Sequence, residues 1–279
     1  MKGKKIKPIC SVIIRYVLLL LFAGVFILPF LWLLSTSLKT GLQSTYSFPP
    51  SFIPSPITMK NYVRAIHVVP FLKYIRNTFI LIVLMVPAHI FLTTLTAYPL
   101  ARMKFPGKEL IFYLILGTMF MPDEGKLIPL YLLVQKIGMV DSWSGIVFPG
   151  LVGGFSVLLM RQAYISIPKE MEEAATIDGC GVFSIFLKIM LPLAKPTLGA
   201  LGIFSFVSVW NSFTWPLIIL KNDDLYPVSL GLSYLSGTFG NDVKIMAAGT
   251  TLSLIPVVAF YLLMQKNFVS GLQSGAIKG

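Results

Sequence analysis

Residues 168–196 read PKEMEEAATIDGCGVFSIFLKIMLPLAKP, a charged stretch inside a very apolar chain. Pro168 suits the first turn of a helix, where a missing N–H costs no hydrogen bond. Acidic residues follow at the positive end of that helix, and Gly179 allows the chain to turn. A second helix is predicted after Gly181, with apolar residues at helical spacing and with Pro192 at its end. The stretch therefore predicts a compact helix-turn-helix between two membrane spans.

The composition is that of a membrane protein. Of the 279 residues, 56% are hydrophobic and only 12% are charged, whereas soluble domains carry about 25% charged residues. The net charge of +12 does not come from one aromatic-interleaved patch of the kind that binds nucleic acid. The basic residues lie mostly at the ends of apolar stretches, where they orient a polytopic membrane protein. We therefore expect a lipid bilayer around the chain and no nucleic-acid partner.

Apolar runs predict membrane spans, each of which needs about 20 residues. Six spans are predicted, over residues 13–34, 75–101, 109–136, 143–164, 197–220 and 245–264. Most Lys and Arg residues then fall on the side of both termini, which predicts that this side is cytoplasmic, although several basic residues between the first two spans lie on the other side. The predicted organisation is an N-terminal tail, residues 1–12, and one domain, residues 13–279, with a loop at about 165–193 and a tail at 265–279.

The 168–196 stretch resembles the EAA loop of the permease subunits of binding-protein-dependent ATP-binding-cassette (ABC) importers. That loop has the pattern Glu-Ala-Ala, three residues, Gly, nine residues, Ile, any residue, Leu-Pro, which residues 173–192 match. Residues 166–170 and Trp210-Asn211 are similar to the carbohydrate-uptake branch, the maltose-type permeases. The resemblance implies an all-α membrane protein with the six transmembrane helices of the type I ABC importer permease fold and a cytoplasmic coupling helix.

In the resembled family the coupling helix docks on a separate ATPase. The resemblance places the docking surface on Glu170, Met171, Glu173, Ala174, Ala175, Asp178, Gly179, Val182, Phe183, Phe186, Ile189 and Pro192. The alternative is an amphipathic loop that lies on the membrane surface. A C-terminal tail with Gly275, Lys278 and Gly279 contacts the ATPases in close relatives, although a frayed terminus is the simpler interpretation.

The resemblance also implies partners on other chains. They are a second homologous permease subunit, two ATPase subunits and an extracytoplasmic solute-binding protein that delivers a sugar. ATP and Mg²⁺ are expected on the ATPase and no cofactor on this chain, because its sequence has no G-x-x-x-x-G-K-[ST] phosphate loop. The sequence shows no catalytic set and no metal-ligand spacing, so we predict a multi-pass protein of the cytoplasmic membrane that is not an enzyme.

Two polar features interrupt the predicted spans. Residues 122–126 (PDEGK) put charges at membrane depth, where they usually face protein or a watery cavity. Either this segment lies on the translocation path or it is a loop near the outer surface. The fifth span carries a polar stripe that either binds a sugar or hydrogen-bonds another helix. The predicted translocation-path residues are Glu124, Ser205, Ser208, Asn211, Ser212 and Trp215.

The remaining features leave alternatives open. Residues 221–244 are predicted to be an outer loop, which reaches toward the binding protein in the resembled family or is a solvated connector. His67 and His89 are assigned no role, because a lone histidine is more often packed or solvated than a ligand. The alternative function is an ion- or proton-coupled secondary transporter that uses the charges at 122–126 and needs no ATPase. It predicts inverted repeats, and the sequence contains no convincing repeat.

Overall fold

The computed structural model describes residues 9–45, 51–237 and 242–276, and within these ranges the chain is helical. An isolated antiparallel bridge joins Lys39 to Ile57. The predicted all-α architecture is confirmed, and it suits lipid because helices bond their N–H and C=O groups internally. The helices are α1 (Ile9–Ser37), α2 (Lys60–Val68), α3 (Phe71–Arg102), α4 (Lys108–Gly117), α5 (Asp123–Lys136), α6 (Trp143–Val147), α7 (Gly154–Ser166), α8 (Glu170–Ile177), α9 (Val182–Ile185), α10 (Leu191–Leu193), α11 (Lys195–Trp210), α12 (Thr214–Ile219), α13 (Val228–Gly237) and α14 (Val243–Ala276), with 3-10 turns at Phe148–Gly150 and Asp223–Leu225 and a π turn at Phe186–Met190.

Packing divides the chain into two compact units. The first consists of residues 1–71 and 232–255, and the second of residues 72–231 and 256–279. The helix-turn-helix and both polar features of the sequence therefore lie in the second unit. The predicted single domain over residues 13–279 stays a prediction.

In the first unit, α2 is attached to the end of α1. The side-chain amide of Asn61 donates to the carbonyls of Ser37 and Lys39 at 2.8 Å each. The Ser37 hydroxyl also lies 2.6 Å from the Tyr62 hydroxyl. These buried polar contacts satisfy carbonyls that the end of α1 leaves without intrahelical donors.

In the second unit, a buried aromatic cluster lies near the end of α3. The ring of Tyr98 contacts those of Tyr164 and Phe186, with centroid distances of 5.8 and 5.2 Å. All three residues are at most 7% exposed. In the same unit, α7 packs against α4 and α11, and α12 packs against α5 and α6. Because Phe186 belongs to the helix-turn-helix, this core supports that motif from inside the chain.

Three described helices are long and apolar enough to cross a membrane, namely Ser11–Ser37, Phe71–Arg102 and Val243–Gln265. In the helix Ser11–Ser37, no residue of the most apolar 18-residue window is buried. By length and composition the number rises to five if two bent helix pairs each count as one span. The pairs are Trp143–Gly150 with Gly154–Ser166, bent by 41°, and Val182–Leu193 with Lys195–Trp210, bent by 76°.

The predicted third span is divided into two helices. α4 ends at Gly117 and α5 begins at Asp123. Pro122 has no N–H to donate to the carbonyl four residues earlier, and its ring would clash with that carbonyl in an α-helix. An interruption is therefore present, but it covers residues 118–122, whereas residues 123–126 of the predicted interruption form the first turn of α5.

The predicted fifth span, residues 197–220, breaks in the middle. α11 ends at Trp210 and α12 begins at Thr214. Pro216 lacks the N–H that would reach the carbonyl of Ser212, and in a continuous helix its ring would clash with that carbonyl. The hydroxyl of Ser229 donates to the Ser212 carbonyl instead. The prediction of one continuous helix is wrong, and the break falls within the polar stripe.

Residues 221–244 also differ from the predicted outer loop. They contain α13, whose Val228 and Leu230 are at most 1% exposed. The side-chain amide of Asn77, on α3, donates to the Asp224 carbonyl at 2.8 Å. The polar residues before α13 made this segment look solvated, whereas part of it is a buried helix fixed to α3.

Candidate functional site

The helix-turn-helix forms where the sequence predicts it. α8 ends in a left-handed turn at Gly179, whose φ is +79°. The N–H groups of Gly179 and Cys180 donate to the carbonyls of Thr176 and Ala175 at 3.0 and 2.9 Å, which closes the helix end in a Schellman motif. Glycine adopts this φ without the steric cost of a side chain, so the turn geometry requires Gly179.

The second helix of the motif continues past Pro192, which the sequence predicts to end it. It consists of α9, the π turn at Phe186–Met190 and α10, which ends at Leu193. A π turn moves its hydrogen bonds one residue further along, so Pro192 fits without the carbonyl clash that it causes in an α-helix. The predicted end is therefore wrong, and the chain instead bends by 76° before α11.

One face of the motif points away from the chain. It carries the predicted docking residues Glu170, Met171, Glu173, Ala174, Asp178, Gly179, Val182, Phe183 and Pro192, all exposed. Ile177 and Leu187, which the sequence analysis did not single out, lie on the motif with 87% and 42% exposure. Apolar side chains concentrated on an exposed surface mark a contact site, here flanked by carboxylates. We refer to the exposed residues of this motif as the coupling face.

Three predicted docking residues face the interior instead. Ala175 and Phe186 are only 6% and 2% exposed and belong to the core, and Ile189 packs against that core. The structure corrects the predicted docking surface at these positions, because burial against Tyr98 and its neighbours leaves Phe186 inaccessible to a partner. These side chains support the coupling face from below.

Arg102, the last residue of α3, holds the motif on its inner side. Its Nε lies 2.9 Å from Oε1 of Glu172, and the side chains are only 6% and 20% exposed. The same guanidinium donates to the carbonyl of Ile167, just before α8. The sequence analysis did not single out Arg102, and it treated the acidic residues after Pro168, Glu172 among them, only as charges at the positive end of the helix.

A second arginine joins three helices close by. Nε of Arg161 donates to the Leu100 carbonyl at 3.0 Å, and its guanidinium lies 3.4 Å from the Glu109 carboxylate. Its guanidinium carbon also lies 3.9 Å from the ring centroid of Phe112. Arg161 thus connects α7 to the ends of α3 and α4.

Two polar cavities lie near the break in the fifth predicted span. The first, of about 410 Å³, is lined by Asp123, Glu124, Lys126, Leu127, Leu130, Ser208, Ser212, Phe213, Thr214 and Trp215. The second, of about 460 Å³, is lined by Met85, His89, Asp123, Gly150, Val152, Gly153, Phe155, Ser156, Phe204, Ser205, Ser208 and Val209. Both are lined by Asp123 and Ser208, so they adjoin.

The cavities bring most of the predicted path residues together. Glu124, Ser208, Ser212 and Trp215 line the first cavity and Ser205 the second. Asn211 caps the end of α11 and lines neither of them. The helix break, which the sequence analysis did not foresee, separates Asn211 from the stripe.

Two contacts hold polar and aromatic side chains in place in the wall of the first cavity. The indole N–H of Trp215 donates to the Gly145 carbonyl at 2.9 Å, which holds the ring in one orientation. Lys126 lies 3.1 Å from a carboxylate oxygen of Asp123. Two carboxylates, one paired ammonium, several hydroxyls and two aromatic rings therefore line one concave surface.

His89 is a cavity residue that the sequence analysis missed. Its Nε2 lies 2.8 Å from the Ser156 hydroxyl and its Nδ1 3.1 Å from the Gly150 carbonyl. A carbonyl only accepts hydrogen bonds, so Nδ1 is the donor to Gly150. These partners flank the bend before α7, 61 and 67 residues along the chain. No local pattern could have indicated them.

Other predicted positions lie beyond these sites. Gly275 falls in the last turns of α14, whereas Lys278 and Gly279 lie outside the described residues. Among the described residues, no group of three or more His, Cys, Asp or Glu side chains could hold a metal ion.

The family comparison decides the class of protein. Residues 9–274 match the family model described as "Binding-protein-dependent transport system inner membrane component". The chain belongs to this family. The permease is therefore a multi-pass membrane transport component and not a catalytic subunit.

Individual relatives agree with this assignment. The permease is 32% identical to the arabinooligosaccharides transport system permease protein AraQ of Halalkalibacterium halodurans. This identity is over 229 residues, which are 82% of each chain. It is 31% identical to the sulfoquinovosyl glycerol transport system permease protein SmoH of Agrobacterium fabrum, over 94% of this chain and 91% of that one. A chain of a bacterial ABC transporter that imports the acidic polysaccharide alginate matches with a TM-score of 0.80 and 26% identity, over 96% of this chain and 100% of that one. The predicted importer permease fold is confirmed.

Proposed function

We propose that the permease is one of two homologous membrane subunits of an ATP-driven importer, and that the pair encloses the path of a sugar or oligosaccharide. The observation that carries this proposal is the presence of a polar cavity and an exposed helical turn on one chain, both reached by α3. The names of the relatives AraQ and SmoH and of the alginate transporter all refer to carbohydrate transport. They support a carbohydrate substrate for this permease.

The cavity chemistry suits a sugar. Sugar hydroxyls donate to the Glu124 carboxylate and exchange hydrogen bonds with the hydroxyls of Ser208 and Ser212. The ring of Trp215 offers an apolar surface for the C–H face of a sugar ring. A concave site in which placed polar groups lie beside aromatic side chains is typical of a small-molecule site.

The coupling face is the proposed ATPase contact. Two ATPase subunits, one for each permease, bind ATP and Mg²⁺, and this chain supplies the apolar residues Met171, Val182 and Phe183 that insert into the ATPase surface. The tail with Gly275, Lys278 and Gly279 adds a further contact. Both termini lie in the cytoplasm, and the solute-binding protein docks on the opposite side. ATP supplies the differential binding energy that changes the access of the cavity.

Family membership argues against the alternative of a secondary transporter. Residues 9–274 match a family defined by dependence on a binding protein. The charges at Asp123, Glu124 and Lys126 then belong to a cavity wall rather than to an ion-coupling site.

Affinity purification of the permease from its native membrane tests the proposal. We expect an ATP-hydrolysing subunit and a second permease to co-purify. In proteoliposomes, the cognate binding protein and one of a panel of neutral and acidic oligosaccharides should stimulate both hydrolysis and uptake. Uptake driven by a proton gradient without ATP would overturn the proposal.

The cavity assignment has a test of its own. Glu124→Gln and Trp215→Ala should lower uptake at unchanged co-purification of the ATPase, because both side chains line the cavity. Asn211→Ala is the matched control, since Asn211 belongs to the same stripe but lines neither cavity. An equal loss of uptake in Asn211→Ala would contradict the assignment.

A further inference from the structure

α3 reaches both the second cavity and the helix-turn-helix. Met85 and His89 line the cavity, and Arg102 ends the helix at α8. His89 and Arg102 are thirteen residues apart, which corresponds to about 20 Å along a helix. Displacement of α3 at Arg102 is therefore carried along the helix to its cavity-lining residues.

Arg102 contacts the motif at two points. The guanidinium contacts the Glu172 side chain and the Ile167 carbonyl, so it holds α8 both within its first turn and just before it. The ion pair is mostly shielded from water, at 6% and 20% exposure. Removal of one partner from a buried pair leaves an uncompensated charge. The position of α8 relative to α3 is thus sensitive to this pair.

The other links of the motif are less directional. Tyr98 of α3 contacts Phe186 through an apolar ring contact, which tolerates sliding. The covalent link to α11 passes through the π turn and a 76° bend. Variants of the ion pair should therefore leave the motif attached to the core and its coupling face intact, and should loosen only the alignment with α3.

We propose that Arg102 is a positioning residue that, through Glu172, transmits displacement of the coupling face to the cavity-lining helix α3. This inference rests on the proposed function, because it assumes an ATPase that moves the face. Glu172 then differs in role from Glu170 and Glu173, which are exposed on the coupling face. Of the three glutamates in the first turn of α8, Glu172 anchors the helix to Arg102 on the inner side, and Glu170 and Glu173 are free to contact a partner.

The pair Arg161–Glu109 provides a matched control. It also joins an arginine to a glutamate near the end of α3, but Glu109 is 58% exposed. Exposed ion pairs contribute little because water screens them. Glu109→Gln and Glu172→Gln make the same chemical change in the two settings.

The experiment uses the purified importer complex with its binding protein in proteoliposomes. Glu172→Gln should lower the number of substrate molecules taken up per ATP hydrolysed by about fivefold or more, with ATPase co-purification unchanged. Glu109→Gln should stay within about twofold of wild type. The swap Arg102→Glu with Glu172→Arg should restore part of the ratio, because it re-forms the ion pair but not the hydrogen bond to the Ile167 carbonyl. A wild-type ratio in Glu172→Gln, or an equal loss in Glu109→Gln, would overturn the inference.

A second readout separates this inference from the proposed function. In the permease alone, Glu172→Gln should raise amide hydrogen exchange in residues 170–177 by about tenfold, because the inner anchor of α8 is lost. Glu109→Gln should leave that exchange unchanged. If the wild-type complex contains no ATPase, the proposed function is wrong. If amide exchange in Glu172→Gln equals that of the wild type, the proposed role of Glu172 as the anchor of α8 is wrong.

Discussion

The hydroxyl of Ser229 donates a hydrogen bond to the carbonyl of Ser212. This carbonyl is the one that Pro216, four residues later, leaves without an intrahelical donor. The backbone break beside the cavity is therefore satisfied by a side chain from α13. In an apolar environment such a carbonyl needs a partner, so the cavity wall at Ser212 depends on Ser229.

Removal of the Ser229 hydroxyl should destabilise the permease. Ser229→Ala leaves the Ser212 carbonyl without its donor, at a cost of about 1–3 kcal/mol. We expect a lower midpoint of thermal unfolding in detergent. Pro216→Ala restores an N–H at the position that Pro216 blocks, so in that background Ser229→Ala should cost clearly less. If Ser229→Ala lowered the unfolding midpoint equally in the wild-type and Pro216→Ala backgrounds, the hydrogen bond to the Ser212 carbonyl would not be the source of its effect.

Two glycines of one loop should respond differently to alanine. An added Cβ meets no atom within 4 Å at Gly179 or Gly181, but Gly179 has a φ of +79° and Gly181 a φ of −71°. A side chain in the left-handed region costs about 1–2 kcal/mol. Gly179→Ala should therefore distort the turn and lower ATP-coupled uptake, while Gly181→Ala stays near wild type. Equal uptake by the two variants would contradict this.

Two phenylalanines three residues apart should separate docking from folding. Phe183 is 65% exposed and Phe186 only 2%. Phe186→Ala opens a cavity in the core and should cost about 3–5 kcal/mol of stability. Phe183→Ala should leave thermal unfolding unchanged and weaken ATPase binding about tenfold, or ~1.4 kcal/mol, measured by titration of the purified ATPase. Unchanged ATPase affinity in Phe183→Ala would argue against the coupling face.

Asp141, in the turn before α6, should give the permease an acid-sensitive contact. The backbone N–H groups of Asn222 and Lys221 donate to its carboxylate at 2.9 and 2.8 Å, and they hold the pKa of Asp141 below its usual range. A lowered folded pKa gives stability that is present above the unfolded pKa of about 3.9 and is lost as the pH falls through the folded pKa.

Thermal unfolding between pH 7 and pH 3 measures this contribution. The wild-type permease should lose more stability over that range than Asp141→Asn, whose side-chain oxygen still accepts both hydrogen bonds but does not titrate. Asparagine also tolerates the positive φ of 57° at this position. Identical pH profiles for the two proteins would rule out the contact as a source of acid sensitivity.

The helix-turn-helix was predictable because its signals are local. The left-handed turn at Gly179 follows from the absence of a side chain, and the start of α8 follows from Pro168 and the acidic residues after it. Orientation was not predictable in the same way. Phe183 and Phe186 have helical spacing, yet Tyr98, a residue 88 positions earlier, buries one and not the other.

The cavity was predicted in composition but not in geometry. Serines and Trp215 stood out in an apolar run, whereas His89 acquires its role only through Gly150 and Ser156 on another helix. Pro216 was visible in the sequence and could have indicated the break after Trp210. The apolar character of the whole run concealed that signal, because hydropathy does not register a missing N–H.

α1 shows large apolar side chains to its surroundings, and none of its most apolar window is buried. Substitutions there among leucine, isoleucine, valine and phenylalanine should leave the interior packing of the permease unaltered. A saturation scan along α1 would consequently chart what lies outside the molecule. Tolerant stretches would mark lipid, and any intolerant stripe would outline the footprint of a neighbouring subunit.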